Sequence, residues 1–320
     1  MCAKPVLWMP RRLSDATIER ARRDYELILN EADTPGTAEE IVAMSARVDA
    51  MIPCHSEHFT AEVAAGLDPR LKIIANHSVG VDHCDLAALK ARGVVVTNTP
   101  DVLSDATAEL AMLLMLGAAR HAVAGDRLVR TGAWDSWSPS FMVGKQVTGA
   151  RLGIVGMGRV GRAMAQKARG FGMEIHYFNR SPLDPDMAQG ATYHATLETL
   201  LPQSDFLSLH CPASPETTDL MNARTFAMLP DWAVLVNAAR GALVDEAALI
   251  AALDAGKLAA AGLDCFKTEP GGNPAFAGYD NIFMLPHIGS ATTQTRDAMG
   301  YRALDNLDAF FAGGEPRDLV

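Results

Sequence analysis

Apolar residues recur along the chain in short runs, separated by stretches with helical spacing. Pro5–Met9, Glu26–Leu29, Ala50–Pro53, Leu71–Ala75 and Val94–Thr97 read as strands. Between them, Ser14–Arg23, Thr37–Arg47 and Asp85–Arg92 read as helices, with Ser14 and Thr37 in N-cap position. This alternation predicts βα units, hence parallel sheets with helices on both faces. Thr97-Asn98-Thr99-Pro100-Asp101 interrupts it, since Pro100 forbids a continuing regular element. A long helix is predicted over Ser104–Gly125, then an irregular stretch over Thr131–Gly149 containing Trp134, Trp137 and Pro139. Strands resume at Met173–Phe178, Phe206–His210, Ala233–Asn237, Ala260–Asp264 and Ile282–Leu285. The last helix, about Thr292–Ala312, has no strand after it and is long enough to return to the first domain.

The second set opens on Arg151–Ala165, RLGIVGMGRVGRAMA, in which a strand leads into Gly156-x-Gly158-x-x-Gly161 and a helix start. A strand, a tight turn and a helix are the context a dinucleotide fingerprint requires. Gly156 allows the turn, Gly158 lets backbone approach a pyrophosphate, and Gly161 lets helix and strand pack closely. The helix start adds amides and partial positive charge. An Asp or Glu that prefers NAD belongs at the end of the second strand, roughly twenty residues on. Here Asn179-Arg180-Ser181 stands in that place. A neutral amide followed by a guanidinium and a hydroxyl suits the 2′-phosphate of NADP, with NAD still possible.

Composition narrows the field. The 320 residues suffice for two domains, and 49% hydrophobic with 21% charged content is that of a globular protein. A net charge of −10 leaves no excess of basic residues for a nucleic-acid or anionic-membrane surface. The start, MCAKPVLWMPRR, lacks the apolar core of a secretory signal, and the longest apolar run, Leu110–Ala119, is too short to span a bilayer. Five scattered cysteines without a Cys-x-x-Cys suggest reduced thiols and a cytoplasmic location. Cys54-His55-x-x-His58 and His77 with His83-Cys84 match no zinc spacing, so no metal site is expected.

Three strand ends carry reactive side chains: Arg240 after Val234–Asn237, Glu269 after Gly262–Asp264, and His287 after Leu285-Pro286. Ligands of open parallel sheets sit beyond the carboxyl ends of strands. Singly each is an ordinary surface residue. Their coincidence with a nicotinamide fingerprint gives them meaning.

With fingerprint, Arg, Glu and His in this order, the chain resembles the D-2-hydroxyacid dehydrogenase family over essentially its whole length, and is most similar to the glyoxylate/hydroxypyruvate reductases. Ser78-Val79-Gly80-Val81-Asp82-His83, Thr99–Glu109, Gly132–Trp137 and Pro286–Thr292 carry that likeness. The resemblance implies two Rossmann-like doubly wound parallel-sheet α/β domains, the dinucleotide-binding one (100–286) inserted in a substrate domain (1–99 completed by 287–320). A dimerisation helix and arm would occupy about 102–149. It implies that His287 is the general acid for the keto oxygen, that Glu269 holds His287 and favours its charged form, and that Arg240 pairs with the substrate carboxylate. Backbone amides of Val79 and Gly80 would bind that carboxylate, with Ser290 near the substrate. Gly158, Arg159 and Val160 would lie on the pyrophosphate. Cys211, Pro212, Ala238, Asp264 and Gly289 would line the rest of the cofactor path. Met112 and Met115 would be core or dimer contacts. A homodimer is expected, with Trp137 closing the partner subunit's site. A 2-ketogluconate reductase is the nearest alternative. Phosphoglycerate dehydrogenase fits less well, since no regulatory domain follows, and a dinucleotide-sensing corepressor is the alternative of another class.

Overall fold

The computed structural model describes residues 3–320, so Met1 and Cys2 lie outside the described part. The chain divides into two compact units, Met1–Leu103 with Ser290–Val320, and Ser104–Gly289. The sequence puts the crossings near Pro100 and Pro286, a few residues earlier in each case.

The first unit runs β1 (Val6–Met9), α1 (Asp15–Asp24), β2 (Glu26–Leu29), α2 (Ala38–Ser45), β3 (Ala50–Met51), α3 (Ala61–Gly66), β4 (Ile73–Ala75), α4 (Leu86–Ala91) and β5 (Val95–Thr97). Its five strands are parallel, in the order β2-β1-β3-β4-β5. Ser14 caps α1 through the Thr17 amide, and Thr37 forms a reciprocal capping box with Glu40 on α2. One face of the sheet packs Ile41, Phe59, Leu67 and Leu89. The other packs Ala303, Leu304 and Leu307 of the last helix, Thr293–Phe311, against Leu7, Met9, Ile73 and Ala75. Gly300 lets that helix approach α1, because a Cβ there would lie 2.1 Å from Thr17 Oγ1.

The second unit begins with α5 (Ser104–Ala119) and α6 (Ala122–Thr131). Then follow β6 (Arg151–Val155), α7 (Arg159–Arg169), β7 (Glu174–Phe178), α8 (Pro185–Ala188), β8 (Thr192–His194), α9 (Leu197–Leu200), β9 (Phe206–Leu209), α10 (Ala223–Met228), β10 (Ala233–Asn237), α11 (Glu246–Asp254), β11 (Leu258–Leu263) and β12 (Ile282–Met284). The remaining helix, Thr293–Phe311, is α12. Seven parallel strands stand in the order β12-β11-β10-β9-β6-β7-β8. The order of connection reverses between β6 and β9, the switch point where such sheets bind ligands. Arg151 and Asp205 clamp the amino ends of those two strands by a bidentate pair at 2.9–3.0 Å. The Arg151 guanidinium and amide hold the Asp205 carboxyl below its ordinary range against the opposing effect of burial.

Some expectations from the sequence need correction. The helix predicted over Ser104–Gly125 is two helices, with His121 between them in the left-handed region at φ 53°. The Ala119 carbonyl, which a continuing helix would have used, instead accepts the Lys145 amide at 2.9 Å. The edge strand β8 and the short helix α3 carry no apolar period strong enough to mark them. Met112 and Met115 are buried in the core beneath α5, as one of their two expected roles. Among the described residues, no single helix is long and apolar enough to cross a membrane.

Candidate active site

The glycine fingerprint sits at the switch point, and its three glycines do different work. Gly156 has φ 92°, and a Cβ there would lie 2.5 Å from the Cys211 amide nitrogen, so β6 and β9 converge only because it has no side chain. Gly161 lies against the Gly156 carbonyl, where a Cβ would stand 2.3 Å from the oxygen. Gly158, the N-cap of α7, faces open space: nothing lies within 4 Å of its would-be Cβ. The first-turn amides of Arg159, Val160 and Gly161 therefore stand at an uncrowded helix start, which suits a pyrophosphate.

At the end of β7, the Asn179 side-chain oxygen accepts the Met157 amide at 2.7 Å, tying the second strand to the glycine turn. That leaves the Asn179 NH2, a donor, for a ligand. Arg180 and Ser181 are exposed beside it. The Arg180 guanidinium is felt by Glu216, whose carboxyl is held low first by its Ser214 hydrogen bond and last by that charge. Cys211 is half-buried, Pro212 exposed and Ala238 buried at the ends of β9 and β10. His210 beneath them donates or accepts at Ser208 Oγ (2.8 Å), and burial pushes it down to about 4, so it stays neutral. A donor-lined crevice with an open glycine fits a nicotinamide dinucleotide.

The three strand-end residues emerge from adjacent strands β10, β11 and β12. Arg240 rides on a turn clamped by Asn237, whose buried side chain accepts from the Ala239 amide (3.1 Å) and donates to the Arg240 carbonyl (2.8 Å). The next residue must be glycine, since a Cβ on Gly241 would lie 1.9 Å from the Phe266 carbonyl carbon. This close approach joins the Arg240 turn to the loop that carries Glu269. There, one Glu269 oxygen accepts the Phe266 amide at 2.7 Å, and the other takes His287 Nδ1 at 2.6 Å. A carboxylate on Nδ1 makes that nitrogen the donor. His287 and Glu269 keep 29% and 24% of their side-chain surface, enough for a small substrate to reach them.

His287 has φ 55°, a left-handed backbone that costs a non-glycine residue about 1–3 kcal/mol. It is held there by Asp264, whose two oxygens accept the Ile288 and Gly289 amides, each at 2.8 Å. Asp264 is almost wholly buried, and burial pushes it up to about 6 despite those two amides. The Gly289 amide is thus engaged by Asp264, and a Cβ there would crowd Asp264 Oδ2 at 3.2 Å. The sequence points to Asp264 and Gly289 for the cofactor path; their contacts in the chain anchor the His287 turn. Sequence reasoning misses Asn237, although a polar residue ending an otherwise apolar strand is a visible signal.

Val79, Gly80 and Ser290 belong to the first unit. Val79 is exposed in the loop after β4, and Ser290 opens the turn into α12, its carbonyl accepting the Thr292 amide at 2.9 Å. Of the cysteine and histidine groups set aside as metal ligands, His83 Nε2 and Cys84 Sγ both turn onto Asn76 Oδ1, at 2.9 and 3.8 Å. No disulfide forms among the four described cysteines. Trp137 lies in the arm between α6 and β6 and is 73% exposed.

The chain is similar to known proteins in sequence and in fold. Residues 112–289 match the D-isomer specific 2-hydroxyacid dehydrogenase, NAD binding domain, family. The chain is 42% identical over 305 residues to a glycerate dehydrogenase of Hyphomicrobium methylovorum, covering 95% of each chain. It is 39% identical over 321 residues to a glyoxylate reductase of Pyrococcus furiosus, covering 99% of this chain and 95% of that one. Its structure superposes with a TM-score of 0.86 on an NADPH-dependent glyoxylate/hydroxypyruvate reductase of Sinorhizobium meliloti in complex with NADP and malonate, at 34% identity over 99% and 97% of the two chains. The chain therefore belongs to the D-isomer specific 2-hydroxyacid dehydrogenase family and binds a nicotinamide dinucleotide.

Proposed function

We propose that this protein is an NADPH-preferring reductase of small 2-oxo acids, converting glyoxylate to glycolate and hydroxypyruvate to D-glycerate. The observation that carries the reading is the 2.6 Å Glu269–His287 pair, at the carboxyl edge of the sheet that also presents Arg240. Relatives called glyoxylate reductase and glycerate dehydrogenase support the substrate class.

When bound, the nicotinamide supplies the hydride for the keto carbon. His287 Nε2 delivers a proton to the keto oxygen and takes it back in the reverse direction. Glu269 retains the Nδ1 proton and stabilises the imidazolium, a charge-assisted bond stronger than a neutral one. Arg240 pairs with the substrate carboxylate through its planar fork and polarises the ketone. In the first unit, the Val79 and Gly80 amides offer a nest for a carboxylate. Arg159 and Val160 amides hold the pyrophosphate, and Asn179, Arg180 and Ser181 receive the 2′-phosphate. The uncharged Asn179 and exposed Arg180 support NADP over NAD, as does the relative solved with NADP.

A cytoplasmic homodimer completes the proposal. Val129, Trp134, Trp137 and Val143 are each more than half exposed, and α6 buries none of its residues within the chain. Such an apolar arm suits a second copy, with Trp137 reaching the partner subunit's substrate. The test is loss of NADPH or NADH absorbance across a panel of 2-oxo acids. Higher kcat/KM with NADPH on glyoxylate or hydroxypyruvate is expected. Absence of turnover on every 2-oxo acid would overturn the reading and favour a dinucleotide sensor.

A further inference from the structure

The loop Ser78-Val79-Gly80 has every carbonyl tied inward. The Ser78 carbonyl accepts the Thr99 amide at 3.0 Å, the Val79 carbonyl accepts Asn98 Nδ2 at 2.9 Å, and the Gly80 carbonyl accepts Ser78 Oγ at 2.5 Å. In a planar trans peptide, C=O and N–H point in opposite directions. Tethering the Ser78 carbonyl therefore turns the Val79 N–H outward, and tethering the Val79 carbonyl turns out the Gly80 N–H. Neither amide donates to a protein acceptor among the described residues. Two adjacent outward amides form an anion-binding concavity. The Asn98 side chain sets the direction of the second.

Asn98 is itself held from behind. Its amide donates to the Asp318 carbonyl at 3.1 Å, and its carbonyl accepts Asn306 Nδ2 at 3.3 Å. Asp318 is buried against α12, taking Arg302 in a fork at 2.5 and 2.9 Å and Asn306 Nδ2 at 3.0 Å. Burial opposes its charge, but these bonds outweigh that and keep the carboxyl below its ordinary range. Leu319 bridges Thr97 in antiparallel sense, and the Val320 amide reaches the Val96 carbonyl at 3.2 Å. Residues 318–320 thus strap the edge strand β5 at the point where Asn98 leaves it. This chain of bonds lies wholly within the first unit.

We propose that Asn98, fixed by the Asp318 strap, is a positioning residue that aims the Gly80 amide at the substrate carboxylate. This rests on the 2-oxo acid reading above. A carboxylate contact is made equally in the ground and transition states, so its loss raises KM and leaves kcat almost unchanged.

Asn98→Ala, Asn98→Asp, Asn98→Ser and Asp318→Ala are compared with the wild type. Asn98→Ala should raise the KM for glyoxylate about tenfold, the scale of one net hydrogen bond, with kcat and NADPH affinity changed by less than about twofold. Asn98→Asp, an acceptor only, should be worse than Ala; Asn98→Ser, which keeps a donor, should recover part of the loss. Hydrogen exchange at the Thr99 amide, which is bonded to the Ser78 carbonyl, should accelerate in Asn98→Ala and Asp318→Ala, with peptides of residues 104–289 unaffected. An unmoved KM together with unmoved exchange at the Thr99 amide overturns the proposal. So does a parallel fall in NADPH affinity, kcat and melting temperature, which marks a general structural role. If the wild type turns over no 2-oxo acid, the functional reading fails, and the exchange measurement still decides the role of Asn98.

Discussion

Burial of Asp264 gives the site a pH dependence of its own. Its folded-state pKa, about 6, lies above the ordinary 3.8. Between those values the folded chain holds a proton that the unfolded chain has released, so this group's contribution to stability falls as pH rises through that window. Function runs the other way, because only the ionised carboxylate accepts both the Ile288 and Gly289 amides and holds the His287 turn. kcat/KM should therefore fall as pH drops through about 6, and Asp264→Asn should show a lower plateau without that limb. A pH profile retained unchanged in the variant would assign the limb elsewhere. At the end of β7, Asn179→Asp combined with Arg180→Ala should move preference toward NADH. Unchanged NADPH/NADH selectivity would remove these residues from the cofactor assignment.

The elements show which glycines serve the fold and which serve the ligand. Gly156→Ala forces a Cβ against Cys211 backbone and should lower the melting temperature, whereas Gly158→Ala meets nothing in the chain. Gly158→Ala should leave stability within about 1 kcal/mol, near the Gly-to-Ala propensity difference, while weakening NADPH binding. Undiminished NADPH binding by that variant would mean the α7 start does not hold the pyrophosphate. Gly241→Ala pushes on Phe266, whose amide anchors Glu269, and should reduce kcat more than NADPH affinity. The repeating βα pattern, the Ser14 and Thr37 caps and the fingerprint turn are readable because each is a local signal. The break at His121 is not, since it depends on Lys145 returning to the Ala119 carbonyl from a distant part of the sequence. Nor is the Asn98 tether, because its partners in the 78–80 loop and at Asp318 come together only through the sheet edge. Spacing likewise marks Arg240, Glu269 and His287, while the Asn237 clamp and the Asp264 anchor require the folded strand ends.

At the scale of the whole molecule, the sequence announces two parallel α/β units but not the order of their strands. That order, β12-β11-β10-β9-β6-β7-β8, brings β10, β11 and β12 side by side and so collects Arg240, Glu269 and His287 along one edge of the second unit. The exposed apolar arm from Val129 to Val143 belongs to the same scale. Light scattering should give twice the chain mass, and joint replacement of Trp134 and Trp137 by Ser should weaken that association; a wild-type monomer with full activity would contradict the proposed dimer. The central claim, that a Glu269-held His287 turns a dinucleotide-binding fold into a reductase, is tested most directly by His287→Ala. Steady-state glyoxylate reduction and NADPH binding by fluorescence are measured on the same preparation. The account predicts a loss of turnover of roughly 10²–10⁴-fold, the usual worth of a positioned acid, with NADPH affinity nearly unchanged. Near-normal reduction of glyoxylate by that variant would contradict it.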